Sequence, residues 1–302
     1  MRNGDNTMKV LVTGVKGQLG HDCVNELLKR HHEAIGVDIE EMDITDIASV
    51  QHVITNIAPD AVIHCAAWTA VDAAEDDENK EKVQLVNATG TENIANVCKE
   101  IGCKMMYIST DYVFNGLGET PWDEDCKDYA PLNVYGASKL AGELAVANTL
   151  DDYFIVRIAW VFGKNGNNFI KTMLNVGKKF PQLTVVSDQI GTPTYTFDLA
   201  RLLVDMIETT KYGYYHATNE GGYISWYDFT QEIFAQAVQL GHIEYAPDTV
   251  SVKPVTTAEY GVSKAARPFN SRLSKQKLVE NGFQPLPTWQ DAIARYLQEL
   301  EF

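Results

Sequence analysis

The chain has 302 residues, 45% hydrophobic and 22% charged, proportions that exclude a disordered or fibrous protein and suit one large α/β unit or two joined domains. A formal net charge of −16 with no Lys/Arg cluster argues against nucleic-acid binding and against adhesion to anionic membranes. Five cysteines, at positions 23, 65, 98, 103 and 126, form no Cys-x-x-Cys pair; they make a poor disulfide framework, so reduced thiols and a cytoplasmic setting are expected.

The first seven residues are polar, carry no apolar signal core and read as a disordered leader; no stretch is long and apolar enough for a membrane span. From residue 8 to 165, short apolar runs alternate with amphipathic stretches, the pattern of a parallel sheet wound by crossover helices. Strands are expected at residues 10–12, 34–37, 61–65, 105–109 and 154–157, each nearly continuous in apolar character, as strands covered on both faces should be. In the first helix Leu19, Cys23, Val24, Leu27 and Leu28 share a face, and His31 and His32 read as its solvated end. Beyond residue 164 the alternation loosens. Ser225 with Asp228, and Thr288 with Asp291, read as helix N-termini, and residues 246–270 as loops and short strands over a cleft. The expected fold is α/β, a Rossmann-type doubly wound parallel sheet. Residues 8–165 would form the dinucleotide-binding domain, and residues 166–302 a smaller C-terminal substrate-binding lobe with segments returning to the Rossmann sheet.

Three signals carry chemistry. Gly14, Gly17 and Gly20 stand between the first strand and first helix, where glycine permits a tight turn and close approach of a pyrophosphate to the helix N-terminal N–H groups. Alone this is a weak motif, since a plain strand-to-helix turn with no ligand can carry the same glycines. Asp38 follows the second strand 18 residues after Gly20, where an acid accepts hydrogen bonds from an adenosine ribose, and Asp43-Ile44 lies within reach of an adenine ring. Tyr135 and Lys139 form a Tyr-x-x-x-Lys on one helical face, so the ammonium can favour the phenolate. With 14 tyrosines in the chain, about one such match arises by chance, and Tyr260 with Lys264 is a second. Position favours Tyr135, because it follows Ser109-Thr110-Asp111 at the end of a strand, where open α/β sheets place their sites; Thr110 supplies a hydroxyl for a substrate carbonyl. Asn87 reads as a helical Asn that holds a backbone group or water, or is merely solvated. No His-Glu-x-x-His and no Gly-x-Ser-x-Gly occurs, so no metal ligands are assigned, and hydride transfer is the chemistry that suits the set.

These residues resemble the extended short-chain dehydrogenase/reductases, and within them the dTDP-4-dehydrorhamnose reductase family. The likeness runs from Lys9 to Leu300 through Gly17-Gln18-Leu19-Gly20, the segment from His64 to Asp72, Ser109 to Phe114, Asn133 to Gly136, Ala159 to Gly163, Gly166 to Phe169, Asp188 to Thr194 and Arg267 to Leu273. The resemblance implies reduction of the C4 keto group of dTDP-4-dehydro-β-L-rhamnose to dTDP-L-rhamnose by NADH or NADPH, the last step of that precursor's biosynthesis. It implies Tyr135 as proton donor tuned by Lys139, with Thr110, Asp111 and Trp160 toward the sugar. Gly14, Gly17, Gln18, Leu19, Asp38, Asp43, Ile44, Ala66, Ala67, Trp68, Thr69, Tyr135 and Lys139 would hold the cofactor. Some relatives dimerise around magnesium held by glutamates; the matching positions here are Asp22 and Phe197, and a phenyl ring cannot ligate a metal, so a monomer or weak homodimer is expected. Two alternatives share the glycine loop: a nucleotide-sugar epimerase or dehydratase that recycles NAD⁺ internally, and a non-catalytic regulatory subunit like the β subunit of methionine adenosyltransferase.

Overall fold

The computed structural model describes residues 7–261 and 263–300; most of the expected leader, residues 1–6, lies outside them. Six strands form one parallel sheet: β1 (Lys9–Thr13), β2 (Glu33–Val37), β3 (Ala61–His64), β4 (Lys104–Thr110), β5 (Tyr153–Ile158) and β6 (Gly213–His216), in the order β6-β5-β4-β3-β1-β2. The chain leaves β1 in one direction for β2 and returns past it to β3, so a crevice opens at the carboxyl ends of β1 and β3.

The inner strands β1, β3, β4 and β5 are buried almost throughout and the edge strands β2 and β6 less so; crossover helices join the strands and further helices build the lobe. These are α1 (Gln18–Lys29), α2 (Ile47–Ile57), α3 (Asp77–Gln84), α4 (Gly90–Ile101), α5 (Val134–Thr149), α6 (Phe169–Gly177), α7 (Thr196–Ile207), α8 (Trp226–Gln239) and α9 (Trp289–Glu299). Alternation along β1 sends Val10 and Val12 to one face, against Cys23 and Leu27 of α1 and Leu199 and Leu203 of α7. Leu11 goes to the other, with Val50 and Ile54 of α2, Ile94 and Cys98 of α4 and Val146 of α5. The segment after residue 166 thus contributes both a strand and a helix to the Rossmann core. The rest of it gathers around Phe162, Ile170, Phe229, Ile233, Ile293 and Tyr296. Short strand pairs stitch this lobe together, Ile190–Gly191 with Ile224–Ser225 and Gln182–Val186 with Ser251–Val255. Both expected helix starts occur: Ser225 and Asp228 form a reciprocal capping box on α8, and Thr288 accepts from the Asp291 N–H on α9.

Two readings of surface residues are corrected. His32 is not a solvated helix end but is 7% exposed: its Nδ1 accepts the Met8 N–H at 3.1 Å and its Nε2 lies 3.0 Å from Glu208. Leu28 is 53% exposed, and the buried position beside it is Glu26, whose carboxylate pairs with Arg30 at 2.7 Å. A further element was not legible in the sequence. Arg157 of β5 and Glu143 of α5 form a fully buried two-point ion pair at 2.9 and 2.8 Å. Arg157 also donates to the Tyr129 hydroxyl and the Glu124 carbonyl, which fixes α5 against the sheet.

Candidate active site

The crevice is a cavity of about 810 Å³ running from the glycine loop to the lobe. Gly14 has φ +70°, and a Cβ there would lie 2.8 Å from the Ala66 Cα. A Cβ on Gly20 would collide with the Gly14 carbonyl oxygen. Gly17 starts α1 in extended conformation, with no side-chain cap and no acidic residue in the first turn, so the first N–H groups of the helix are available to an anion. Gln18 and Leu19 follow on the same rim. Asp38 stands just beyond β2, its Oδ2 accepting the Lys16 N–H at 3.1 Å, while Lys16 Nζ pairs with Glu40 at 2.6 Å. Asp43, Ile44, Ala66, Ala67 and Thr69 also line the cavity. Trp68 is not among its lining residues: its indole N–H donates to the Ala70 carbonyl at 3.1 Å, and its backbone is clamped by Asn87.

Asn87 lies in a single π turn, Leu85–Thr89, between α3 and α4; it is buried, and its amide also donates to Ser138 at 2.9 Å. A relay of hydrogen bonds runs from it across the sheet. The Thr13 hydroxyl oxygen accepts the Cys65 and Ala66 N–H groups, so its own proton goes to His64 Nδ1, 2.8 Å away. Nε2–H of His64 then donates to Thr91, which donates to the Asn87 carbonyl. Burial lowers the His64 pKa to about 3, helped by the Lys139 cation, so the ring is neutral and this tautomer is fixed. Through this relay the backbone at Cys65 and Ala66 is held beside Gly14.

At the other end of the cavity, Thr110 ends β4 and Tyr135 and Lys139 lie in the first turns of α5, which Asn133 starts by accepting the Gly136 N–H at 2.7 Å. All three line the cavity, with Asp111 and Trp160. Lys139 is buried, donates to the Ile108 carbonyl at 2.7 Å and sits 4.1 Å from the Tyr107 ring centroid. Burial lowers its pKa to about 7, opposed by Glu143. Burial and the Asp111 carboxyl raise the Tyr135 pKa well above that of a free phenol, against a hydrogen bond with Thr110. These surroundings favour the protonated phenol, the form that can donate a proton. Asp111 is pushed up to about 6 by burial, while its Oδ1 accepts the Thr110 hydroxyl at 3.0 Å. Asp111 Oδ2 and Ser109 Oγ are buried without a hydrogen-bond partner, polar atoms on the cavity wall that a ligand would satisfy.

The competing motif is elsewhere. Tyr260 ends a short exposed helical turn, Thr257–Tyr260, and Lys264 pairs with Asp76 at 2.6 Å; neither lines the cavity. Sequence reasoning missed Ser109, which sat inside a recognised segment, and Trp226, for which the only local sign was the capping Ser225. The Asp22 carboxylate accepts the Thr196 hydroxyl at 2.6 Å. Among the described residues no helix is long and apolar enough to cross a membrane.

The family model described as the RmlD substrate binding domain matches residues 8–302. The spore coat polysaccharide biosynthesis protein SpsK of Bacillus subtilis is 40% identical, over 96% of this chain and 97% of its own. The dTDP-4-dehydrorhamnose reductase of Escherichia coli is 37% identical, over 97% of this chain and 98% of its own. The crystal structure of dTDP-4-dehydrorhamnose reductase from Bacillus anthracis in complex with NADP superposes with a TM-score of 0.89 at 41% identity, covering 97% of this chain and 100% of that one. The chain thus belongs to the RmlD family, that of the dTDP-4-dehydrorhamnose reductases.

Proposed function

We propose that this protein reduces the C4 keto group of dTDP-4-dehydro-β-L-rhamnose to give dTDP-L-rhamnose, with NADH or NADPH as reductant and a modest preference for NADH, in the cytoplasm. The observation that carries the reading is the convergence of Thr110, Tyr135 and Lys139 on the same cavity as the glycine loop and Asp38. Residues from Gly14 to Leu19 would hold the diphosphate, Asp38 the adenosine ribose, Asp43 and Ile44 the adenine, and Lys139 the nicotinamide ribose. The bound nicotinamide supplies the hydride.

The chain's own residues position and protonate. Tyr135, whose surroundings favour the protonated phenol, gives its proton to the C4 oxygen as that oxygen gains charge, and Thr110 turns its hydroxyl from Asp111 Oδ1 to donate to the same oxygen. Lys139 in its charged form lies one helical turn from Tyr135 and steadies the phenolate left when the phenol gives up its proton. Binding of the diphosphate and nucleoside fixes the sugar at the reacting distance. As for assembly, Asp22 is engaged by Thr196 and Phe197 offers no ligating atom, which supports a monomer or weak homodimer over a metal-bridged one.

The test is NAD(P)H oxidation with enzymatically generated dTDP-4-dehydrorhamnose, followed by identification of the product. Stoichiometric loss of reduced-cofactor absorbance with formation of dTDP-L-rhamnose is expected. Turnover of a nucleotide sugar without net cofactor consumption would assign the site to an epimerase, and cofactor binding without turnover would assign it to a regulatory subunit.

A further inference from the structure

Three non-glycine residues among those described have positive φ: His31, Ala58 and Trp160. The first two terminate α1 and α2, where left-handed residues are common. Trp160, at φ +50°, terminates no helix; it lies between β5 and the short strand Val161–Phe162. A bulky residue in this region is strained and persists only where its surroundings hold it.

The surroundings are specific. The Trp160 carbonyl accepts the Thr194 N–H at 3.1 Å, and the Thr194 hydroxyl donates to the Ala159 carbonyl at 2.6 Å. The indole lies face to face on that of Trp226, with centroids 3.7 Å apart and planes 16° from parallel. Phe169 packs against Trp226 at 4.5 Å. Gly191 passes the edge of the Trp160 ring so closely that a Cβ there would lie 3.0 Å from its Cε2. Gly191 pairs with Ile224, and Ile190 with Ser225, the residue that caps α8 directly before Trp226. One two-stranded ribbon thus sets both the glycine and the second indole. Both tryptophans are half-buried and line the cavity that also holds Thr110 and Tyr135.

We infer that Trp226 is a positioning residue that holds Trp160 in its strained conformation, so that the two indoles form a rigid platform for the C–H face and C6 methyl of a 6-deoxyhexose. The inference rests on the nucleotide-sugar reading above. A preset aromatic face recognises a sugar's apolar side without the cost of ordering a mobile ring.

The experiment compares binding of dTDP-L-rhamnose, dTDP and NADH to the unmodified protein and to Trp226→Leu, and follows the exciton couplet that stacked indoles give in circular dichroism. The leucine variant should lose the couplet and bind dTDP-L-rhamnose about fivefold to tenfold more weakly, with dTDP and NADH affinities unchanged. KM for the keto-sugar should rise by more than kcat falls. Should the leucine variant not fold, Trp226→Phe reads the same comparison: the couplet disappears and the sugar-specific loss is smaller, about twofold to threefold. Unchanged discrimination between dTDP-L-rhamnose and dTDP, or parallel weakening of all three ligands, would overturn the inference. Equal affinity of the unmodified protein for dTDP-L-rhamnose and dTDP would also overturn it. If dTDP-L-rhamnose binds selectively but the keto-sugar is not reduced, the reductase reading fails and the platform stands.

Discussion

On its cofactor side the cavity is shaped mainly by backbone: Gly14, Gly17, the start of α1 and the turn after β2, all within 45 residues of chain. On its sugar side it is shaped by the side chains of Ser109, Thr110, Asp111, Tyr135, Trp160 and Trp226, brought together from the end of β4 and the turn after it, α5, the link after β5 and the start of α8. The difference follows from the ligands each side suits. A diphosphate needs N–H groups, which every residue but proline carries, so the constraint falls on glycines that let the chain come close. A hexose needs a surface of fitted shape and individually placed hydroxyl partners, which only particular side chains supply.

Breaking the sugar side at its reacting group should have the largest effect. Tyr135→Phe is expected to lower kcat by at least ~10²-fold while the Kd of NADH is unchanged, since only the proton is removed. Tyr260→Phe should be nearly silent, and equal activity of the two variants would sink the assignment. Breaking the cofactor side calls for a backbone change. Gly14→Ala places a Cβ 2.8 Å from the Ala66 backbone at a positive φ, a strain of about 1–3 kcal/mol. Titration of NADH fluorescence should show at least ~10-fold weaker binding with little change for dTDP-L-rhamnose; a matched loss of both ligands would mean that the two sides are not separable.

The same contrast sets what the sequence made legible. The alternation of apolar runs and helical stretches survives in β1 to β5, because the inner strands, buried on both faces, must be apolar throughout, and the glycine spacing needs only local turn chemistry. Thr110, Tyr135 and Lys139 were found because a strand end and an i, i+4 pair are local patterns. Trp226 could not be found in this way, since its partner Trp160 lies 66 residues earlier and only the fold stacks them. The buried Arg157–Glu143 pair was hidden for a related reason: charged residues inside apolar runs read as strand and helix ends until a partner is seen. His32 misled because its ring is covered by the Met8 backbone and by Glu208 of a distant segment.

A smaller effect separates folding from function on the sugar side. Burial raises the Asp111 pKa from 3.8 to about 6, so the folded state favours the neutral acid. Its contribution to stability is complete below about pH 4 and is lost as pH rises through about 6. Asp111→Asn, uncharged at every pH, should therefore be more stable than the unmodified protein at pH 8, by on the order of 3 kcal/mol, with a correspondingly higher melting temperature, and the two should converge near pH 4. The same variant should bind the sugar more weakly, a stability gain at the cost of function. A gap in melting temperature that does not change with pH would show that Asp111 is not the titrating group.

The smallest expected effect is on the exposed edge of the cofactor side, where charges rather than shape choose between NADH and NADPH. Asp38 Oδ2 accepts the Lys16 N–H, the Asp38 N–H is held by Glu41 at 2.9 Å, and Lys16 Nζ is tied to Glu40 at 2.6 Å. A 2′-phosphate brought here meets the carboxylates of Asp38, Glu40 and Glu41, and the Lys16 ammonium is already paired. Lys16 and Glu40 are each more than half exposed, so their pairing is weak and yields to salt. Asp38→Ala should move the preference toward NADPH, because a ribose-hydroxyl acceptor and a repulsive charge go together. Lys16→Ala should move it toward NADH. Glu40→Gln, which frees Lys16 without touching Asp38, should favour NADPH by about twofold to threefold at low salt and less at high salt. The readouts are the ratio of kcat/KM for the two cofactors and their Kd values in the four proteins at two ionic strengths. A strong NADPH preference in the unmodified enzyme that Asp38→Ala leaves in place would mean that Asp38 does not face the ribose, and the cofactor edge would then have to be sought away from the end of β2.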